Sequence, residues 1–560
     1  MLRTPLSRDD VTVIAARAAA DLVFLLAWLA GGIILATWNQ GEVVLNTDSS
    51  APITQLLLLT QGRVDSLQEL RLARIPSFLP DLLILRAGLQ WMDGPETIEL
   101  LLAWYSILIG SLLLALQGAL IFLTTPLSRW WAWVVTVLGT SVLVQVSPLY
   151  REAIGLTQTP VHHGGNVFNT LLLLVLMALM VRSRSPLRSR LAAAALVALA
   201  FIGTLSNVLL LFTAVAPVGM GLVLILLSSS GVSREAGRTD PVQGWWLRGQ
   251  MGPLLASLLG AALLGVIAAR SFNLQCGFNL GVFPDSNLLA EYRDSPLVLL
   301  ATALGLLLLF RATTSLGPVA LAVALSALSP HAYSWFLPDT PRRYFLTLPL
   351  LMLVMIAMLV FPAAGAPASP LAMTGRRSVL GAVLALLLAL PMAWALLRVA
   401  SPPLAARFQS RNDPADGVML ERLASLGHHR GLSDFWGAHL TAVSRGSVEV
   451  LPIDSDGEPD LWAHNREAFL SASAQPLDAP LSERLGTFSF VYLRVDEEQP
   501  SLIKAKDVLA AYGPPSGRLG CREDGSGPCV LLYANSDNLR EVVAGKLATF
   551  RNRCREGNLR

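Results

Sequence analysis

The chain has 560 residues, of which 53 % are hydrophobic and only 14 % are charged. A soluble globular chain carries about a quarter charged residues, so the several soluble domains that the length alone would suggest are excluded for most of it. Lys+Arg 42 against Asp+Glu 39 leaves a net charge of +3, which gives no footprint for nucleic acid. What remains is a polytopic membrane protein with one soluble piece. Lysine occurs only at Lys504, Lys506 and Lys546, and this bias towards arginine fits a GC-rich bacterial genome.

Apolar runs of about 20 residues mark candidate transmembrane helices. About eleven are read, over 14–36, 97–124, 131–148, 167–181, 191–205, 208–228, 251–269, 296–310, 312–329, 345–361 and 378–397. The first follows Arg3 and Arg8 and lacks a small-x-small cleavage site, so it reads as a signal anchor. Arginine in short loops sets the orientation. With the N-terminus cytoplasmic, the inner loops carry Arg129, then Arg182, Arg184, Arg188 and Arg190, then Arg234, Arg238 and Arg248, then Arg311, then Arg376 and Arg377. An odd number of spans leaves the C-terminal segment outside. If 191–205 and 208–228 were one broken span, that end would reverse.

From about residue 400 the composition is that of a soluble protein. The stretches SVEVLPI, FSFVYLRV and PCVLLYA read as strands, and 501–512 and 538–552 as helices. The expected fold class is therefore membrane all-α: about eleven transmembrane helices, a long first outer loop carrying interfacial helices, and a small C-terminal α/β soluble domain. The division is 1–400 and 401–560. Cys521 and Cys529 flank a polar, glycine-containing turn. They would pair in an oxidising periplasm and stay free thiols in a reducing compartment.

The spans are nearly free of charge. Arg17 and Asp21 lie one turn apart near the inner end of the first, and Glu99 lies near an outer end. Ion-coupled transporters usually keep ionisable groups at mid-membrane, whereas the polar chemistry here is in the outer loops. The first, about 37–96, holds Asp48 and two apolar stretches, 52–60 and 79–92, too short or interrupted to span. These fit helices lying along the membrane surface. The second, 149–166, offers Glu152, His162, His163 and Asn166. The connection after the ninth span, PHAYSWFLPDTPRRYF, offers His331, Asp339, Arg342, Arg343 and Tyr344. Two adjacent arginines outside run against the positive-inside bias.

An inside N-terminus, a first span followed at once by a long outer loop with an acid near its start (TDSS, Asp48), a many-span core and a C-terminal outer domain form a recognisable layout. It resembles that of the C-type polytopic glycosyltransferases (GT-C superfamily), such as protein O-mannosyltransferases and aminoarabinose transferases of lipid A. The phrases RIPSFLPDLL, PVHHGGN and GTLSN also look like those of bacterial membrane proteins of this type. The first loop has no paired DD or DE, and the outer domain has no WWD-like signature, which speaks against an oligosaccharyltransferase. The resemblance implies inverting sugar transfer from a polyprenyl-phosphate donor to a hydroxyl or amine of a surface glycan, lipid or protein. It implies that Asp48 is the base and that Arg342 and Arg343 sit where the lipid phosphate is held.

Each residue also has a plainer reading. Asp48 ahead of Pro52 is a helix N-cap signature, and Asp81 after Pro80 suits a helix dipole. Arg342 and Arg343 would serve equally as headgroup anchors; Arg343, beside Tyr344, is preferred for phosphate. His162 and His163 are solvated loop residues or substrate ligands. With Glu152 they would bind a divalent cation, the one cofactor left open, although adjacent histidines are poor metal spacing. Arg74 and Arg86 are further phosphate candidates. Asn207 reads as a cap or turn, and His428, His429 and His439 as surface residues rather than zinc ligands. No Walker loop, GxSxG elbow or HExxH occurs. The expectation is a multi-pass glycosyltransferase of the bacterial inner membrane with a periplasmic C-terminal domain. The alternatives are a lipid or glycan translocase, or an O-antigen ligase- or polymerase-like enzyme without a first-loop base.

Overall fold

The computed structural model describes residues 77–90, 97–160, 164–183, 185–228, 241–272, 296–312, 317–336 and 346–361 in the apolar part. Beyond it, the structure describes most of 414–454, then 487–493, 503–521, 528–534 and 539–546, with 457 and 548. Before residue 60 it describes 26, 28, 31, 50, 52–54, 56 and 59. The expected spans 14–36 and 378–397 therefore fall wholly or mostly outside the described residues.

The other expected spans all fall on helices. After α1 (Leu83–Leu89) come α2 (Thr97–Thr124), α3 (Arg129–Val146), α4 (Pro148–Thr157), α5 (Gly164–Arg182) and α6 (Pro186–Ser206). A π-helical turn, Leu211–Val215, leads into α7 (Ala216–Ser228). Then follow α8 (Pro241–Phe272), α9 (Pro296–Arg311), α10 (Pro318–Phe336) and α11 (Thr347–Val360). Among the described residues, four helical segments are long and apolar enough to cross a membrane: Leu101–Thr124, Gly164–Arg182, Pro186–Ser206 and Gly249–Ala269. Serine caps fix several starts. Ser128, Ser147 and Ser185 accept from the backbone N–H of Trp131, Tyr150 and Arg188, and proline follows the last two at the first helical position.

Two boundaries differ from expectation. The helix α8 begins at Pro241, so Arg248 lies within it rather than in a loop. The helix α10 runs through Pro330 and His331 to Phe336, so the start of the expected outer connection is helical. In both cases a polar or proline-bearing stretch continues a helix whose apolar part had already nucleated it.

Side-chain contacts give the helix directions. Ser189 donates to the carbonyl of Met180, while Gly203 sits against Asn169, so α5 and α6 are antiparallel. Thr213 lies beside Thr170, and Gly221 beside Met177, so α7 runs with α5 and against α6. The pair 191–205 and 208–228 is thus two helices. Asn207 makes the turn between them, its Oδ1 accepting from the N–H of Leu209 at 3.0 Å. Thr204 donates to the carbonyl of Ala262 at 3.0 Å, and Arg190 and Ala194 border the same groove as Gln250 and Met251, so α8 runs parallel to α6. Arg182 reaches the carbonyl of Phe122, which sets the end of α5 beside the end of α2.

The C-terminal part begins with α12 (Pro414–Ser425) and contains a five-stranded sheet. Its members are β1 (Arg430–Ser433), β2 (Glu449–Pro452) after the short α13 (Leu440–Val443), β3 (Phe490–Leu493), β4 (Gly517–Leu519) after α14 (Ala505–Tyr512), and β5 (Cys529–Leu532). The order is β2-β1-β3-β5-β4. The first three strands are parallel, and β5 runs antiparallel to β3 and β4. Alternation sends Val450, Phe490, Tyr492 and Val530 to one face, with Leu420 and Leu423 of α12. Three strands coincide with the apolar stretches read from sequence; β1 and β4 do not, because RGLS and GRL show no alternation. Cys521 and Cys529 are disulfide-bonded, tying the end of β4 to the start of β5. His439 is fully buried, contrary to the surface position expected for it.

Candidate functional site

Three of the phrases singled out in the sequence meet at one end of the bundle. Residues 77–82, inside RIPSFLPDLL, enter between α2, α5 and α6 instead of lying on the surface. This corrects the expectation for 79–92. Ser77 takes a left-handed backbone, φ 48°, and the Leu79–Pro80 peptide bond is cis. Such irregular backbone is tolerated at a helix bundle only where neighbours satisfy its polar groups. Here Ser206, in GTLSN, accepts from the N–H of Ser77 through its carbonyl and from the N–H of Leu79 through its hydroxyl, both at 3.1 Å. Asn169 of α5 donates its amide to the carbonyl of Leu79 at 2.9 Å.

Gly165, in PVHHGGN, makes the close approach possible. A Cβ there would lie 3.0 Å from the ring of Pro80 and 3.3 Å from the Asp81 carboxylate. Asp81 itself is 1 % exposed. A carboxylate so buried is costly unless hydrogen-bonded, and Tyr105 of α2 donates to it at 2.6 Å. Behind these lies a second layer. Thr170 donates to Thr213 Oγ1, which lies 3.2 Å from Asn166 Oδ1. The Oδ1 of Asn169, fully buried, has no hydrogen-bond partner among the described residues. The result is a polar seat at the end of α5 and α6 opposite to Arg182, Arg188 and Arg190.

After the seat, α1 turns one face outward. Ile84, Leu85 and Gly88 are buried, while Leu83 and Arg86 are exposed. The surface-helix expectation thus holds for this face alone. The segment expected as the second outer loop also begins inside the bundle. Tyr150, Ile154 and Thr157 of α4 are buried, and a cavity of about 10 Å³ lies between Gln117, Ile154, Thr157 and Gln158. That is room for one water. Gln117 reaches across to the carbonyl of Leu350 at 2.7 Å. His331 faces Thr302 of α9 at 3.0 Å.

Of the acid, phosphate and metal candidates read from sequence, Asp81 and Arg86 have described side chains. Asp81 is in the seat, and Arg86 points away from it on the exposed face of α1. Asp48, Arg74, His162, His163, Arg342, Arg343 and Tyr344 lie outside the described residues, as does the side chain of Glu152 on α4. Shortly after Asp48, the described residues Ser50, Ile53, Thr54 and Leu56 are buried. Among the described residues, no three of His, Cys, Asp and Glu cluster as a metal site. Tyr105, Asn169 and Thr213 were not read as site residues. Each lies in a largely apolar helical stretch, and no local pattern relates one to another.

No protein-family model matches the chain, and no curated protein matches it. Among solved structures, the chain is similar to ArnT from Cupriavidus metallidurans bound to undecaprenyl phosphate. The identity is 14 % and the TM-score 0.47, covering 94 % of this chain and 98 % of that one. It is also similar to the apo state of the same protein, at 14 % identity and TM-score 0.48, covering 95 % and 99 %. These neighbours agree with the aminoarabinose-transferase resemblance read from the layout. With TM-scores below 0.5, the likeness is one of layout and assigns no residue a role.

Proposed function

We propose that the chain is a membrane glycosyltransferase that moves a sugar from a polyprenyl-phosphate donor to a surface glycan, lipid or protein, with inversion. The observation that carries this reading is the polar seat: residues 77–82 dock on the ends of α5 and α6, around a buried carboxylate. The arginine-bearing end of α5 and α6 is opposite, and the positive-inside bias assigns that end to the cytoplasm. The seat is then extracytoplasmic, where a lipid-borne sugar and its acceptor would meet. The Cys521–Cys529 bond supports an oxidising compartment for the C-terminal part.

In this reading Asp48, beside a buried stretch, takes the proton from the acceptor hydroxyl or amine. The acceptor atom bonds to the anomeric carbon as the bond from that carbon to the phosphate oxygen breaks. The electron pair leaves with the lipid phosphate. Inversion requires base and leaving group on opposite faces of the sugar. Arg343, with Arg342 and Tyr344, would hold the phosphate, since a planar guanidinium matches two of its oxygens. His162, His163, Arg74 and Asp81 would border the same crevice. Asp81 would act through the backbone it anchors.

Reconstitution with a polyprenyl-phosphate sugar and a radiolabel on the sugar tests this. Transfer should be lost in Asp48→Asn with donor binding intact, and Arg343→Ala should raise the apparent KM for the donor. Equal turnover in Asp48→Asn would remove the base. Movement of intact donor lipid across the membrane without bond cleavage would point instead to a translocase.

A further inference from the structure

The seat rests on a second polar group deeper in the bundle. The helix α5 begins at Gly164, and a Cβ there would lie 2.2 Å from the carbonyl oxygen of Thr157. The last turn of α4 is therefore packed directly against the start of α5. The next residue, Gly165, is the one that meets Pro80 and Asp81. Whatever fixes α4 in the bundle thus also fixes the floor of the seat. The helix α4 has only 10 residues, and Ser147 caps its first turn. A cap holds a helix start and leaves the rest of the helix to its side chains.

Those side chains include a cluster of neutral polar groups. Tyr150 of α4 is fully buried, and Thr140 of α3 and Gln117 of α2 stand beside its hydroxyl. Neither contact completes a hydrogen bond: Tyr150 Oη and Thr140 Oγ1 both lack a partner among the described residues. Gln117 commits its amide nitrogen to the carbonyl of Leu350 on α11. That leaves its amide oxygen, an acceptor, for the cavity of about 10 Å³ that Gln117 lines together with Ile154 and Thr157. Ile154 is one turn from Tyr150 on the same face of α4. A buried hydroxyl without a hydrogen bond is costly. Two of them, next to a cavity the size of one water, call for an occupant that both donates and accepts.

We propose that one water molecule is bound at this node as a structural part of the protein and ties α4 to α2 and α3. It accepts from the Tyr150 hydroxyl and donates to Gln117 Oε1 and Thr140 Oγ1. Three hydrogen bonds are the usual complement of a buried water. Among the described residues neither a carboxylate nor a histidine lines the cavity, so the donor set suits water and gives a metal cation no charged ligand. Acting through α4, Tyr150 is a positioning residue for Gly165 and for residues 77–82. The site does not depend on the sugar-transfer reading.

Thermal melting of the full-length protein in detergent tests it through the sign of two nearly isosteric changes. Tyr150→Phe removes only the hydroxyl. If that hydroxyl bonds a water, the melting midpoint should fall by about 2 °C; if it is unbonded in a dry cavity, its removal relieves a desolvated group and the midpoint should rise. Thr140→Val should behave in the same way, and the double variant should fall by less than the sum, because both bonds end on one water. Limited proteolysis below the midpoint should show faster cleavage near residue 77 in Tyr150→Phe. A density map of the wild-type protein in nanodiscs, at a resolution that shows ordered water, should hold a peak within about 3.2 Å of both Tyr150 Oη and Gln117 Oε1. A raised midpoint in both single variants, or no such peak, would overturn the water site. Wild-type cleavage near residue 77 in a destabilised Tyr150→Phe would overturn its link to the seat.

Discussion

The two ends of α5 and α6 solve opposite problems. At one end an irregular stretch of chain has been brought between the helices. The backbone and the carboxylate of this stretch are met by specific polar partners: Ser206 accepts two backbone N–H groups, Asn169 donates to a carbonyl and Tyr105 to Asp81. At the other end no described chain enters between α6 and α8, and the groove there is lined by Ala194, Val197 and Leu254 together with Arg190, Gln250 and Ser257. A helix bundle must supply different things in the two cases. Admitting non-helical backbone requires a partner for each exposed donor and acceptor. Leaving a groove open between two helices requires no such partners.

The most severe test of this contrast is chemical. Asp48→Asn should slow transfer by about 10²–10⁴-fold, the usual contribution of a placed general base, measured as initial rates in proteoliposomes. Arg188→Gln at the opposite end should leave the same rate unchanged. If both variants behave alike, the outer loops are not where the reaction occurs.

Next in size is a steric test of the seat. In Gly165→Leu the side chain would meet the ring of Pro80 and the carbonyl of Leu79. Overpacking of this kind costs about 1–3 kcal/mol, and it should also release residues 77–82. Limited proteolysis and thermal melting in detergent read both effects. Cleavage near residue 77 without any change in melting would show that the segment is docked but contributes little.

Smaller still is the removal of one donor. Tyr105→Phe leaves the Asp81 carboxylate one hydrogen bond short in a buried site, at a cost of about 1–2 kcal/mol, seen as a lowered melting midpoint. Asp81→Asn combined with Tyr105→Phe should cost less than the sum of the two, since the pair shares one interaction. The smallest effect is at the arginine-bearing end. Ser185→Ala removes the cap of α6 and should cost about 0.5–1 kcal/mol, with no change in protease sensitivity around residue 77. A change there would mean that the two ends are not independent.

Much of the bundle was legible because its signal is local. An apolar run such as 97–124 needs no partner to declare itself, and the helix there has those limits. The phrases around Pro80, Gly165 and Ser206 were legible as unusual but not as neighbours. Nothing local relates Leu79 to Ser206 or to Asn169, which meet across 127 and 90 positions of sequence. Asp81 is expected at a helix start, and the structure has it in the first turn of the helical stretch that opens at Phe78; its burial against Tyr105 is what no local pattern announces. The strand β1 was missed since its four residues include a glycine and a serine whose hydroxyl is satisfied by the carbonyl of Tyr492.

The link from Ser206 to Leu79 also orders events at the ribosome. At about 5–20 residues per second, the 127 positions that separate the two take roughly 6–25 s to synthesise. Throughout that interval the stretch bearing Asp81 has emerged without its final anchor. The nascent segment therefore stays open to chaperones and proteases until the fifth expected hydrophobic segment has been inserted. A stalled or truncated chain ending before Ser206 would expose that stretch as a degradation signal.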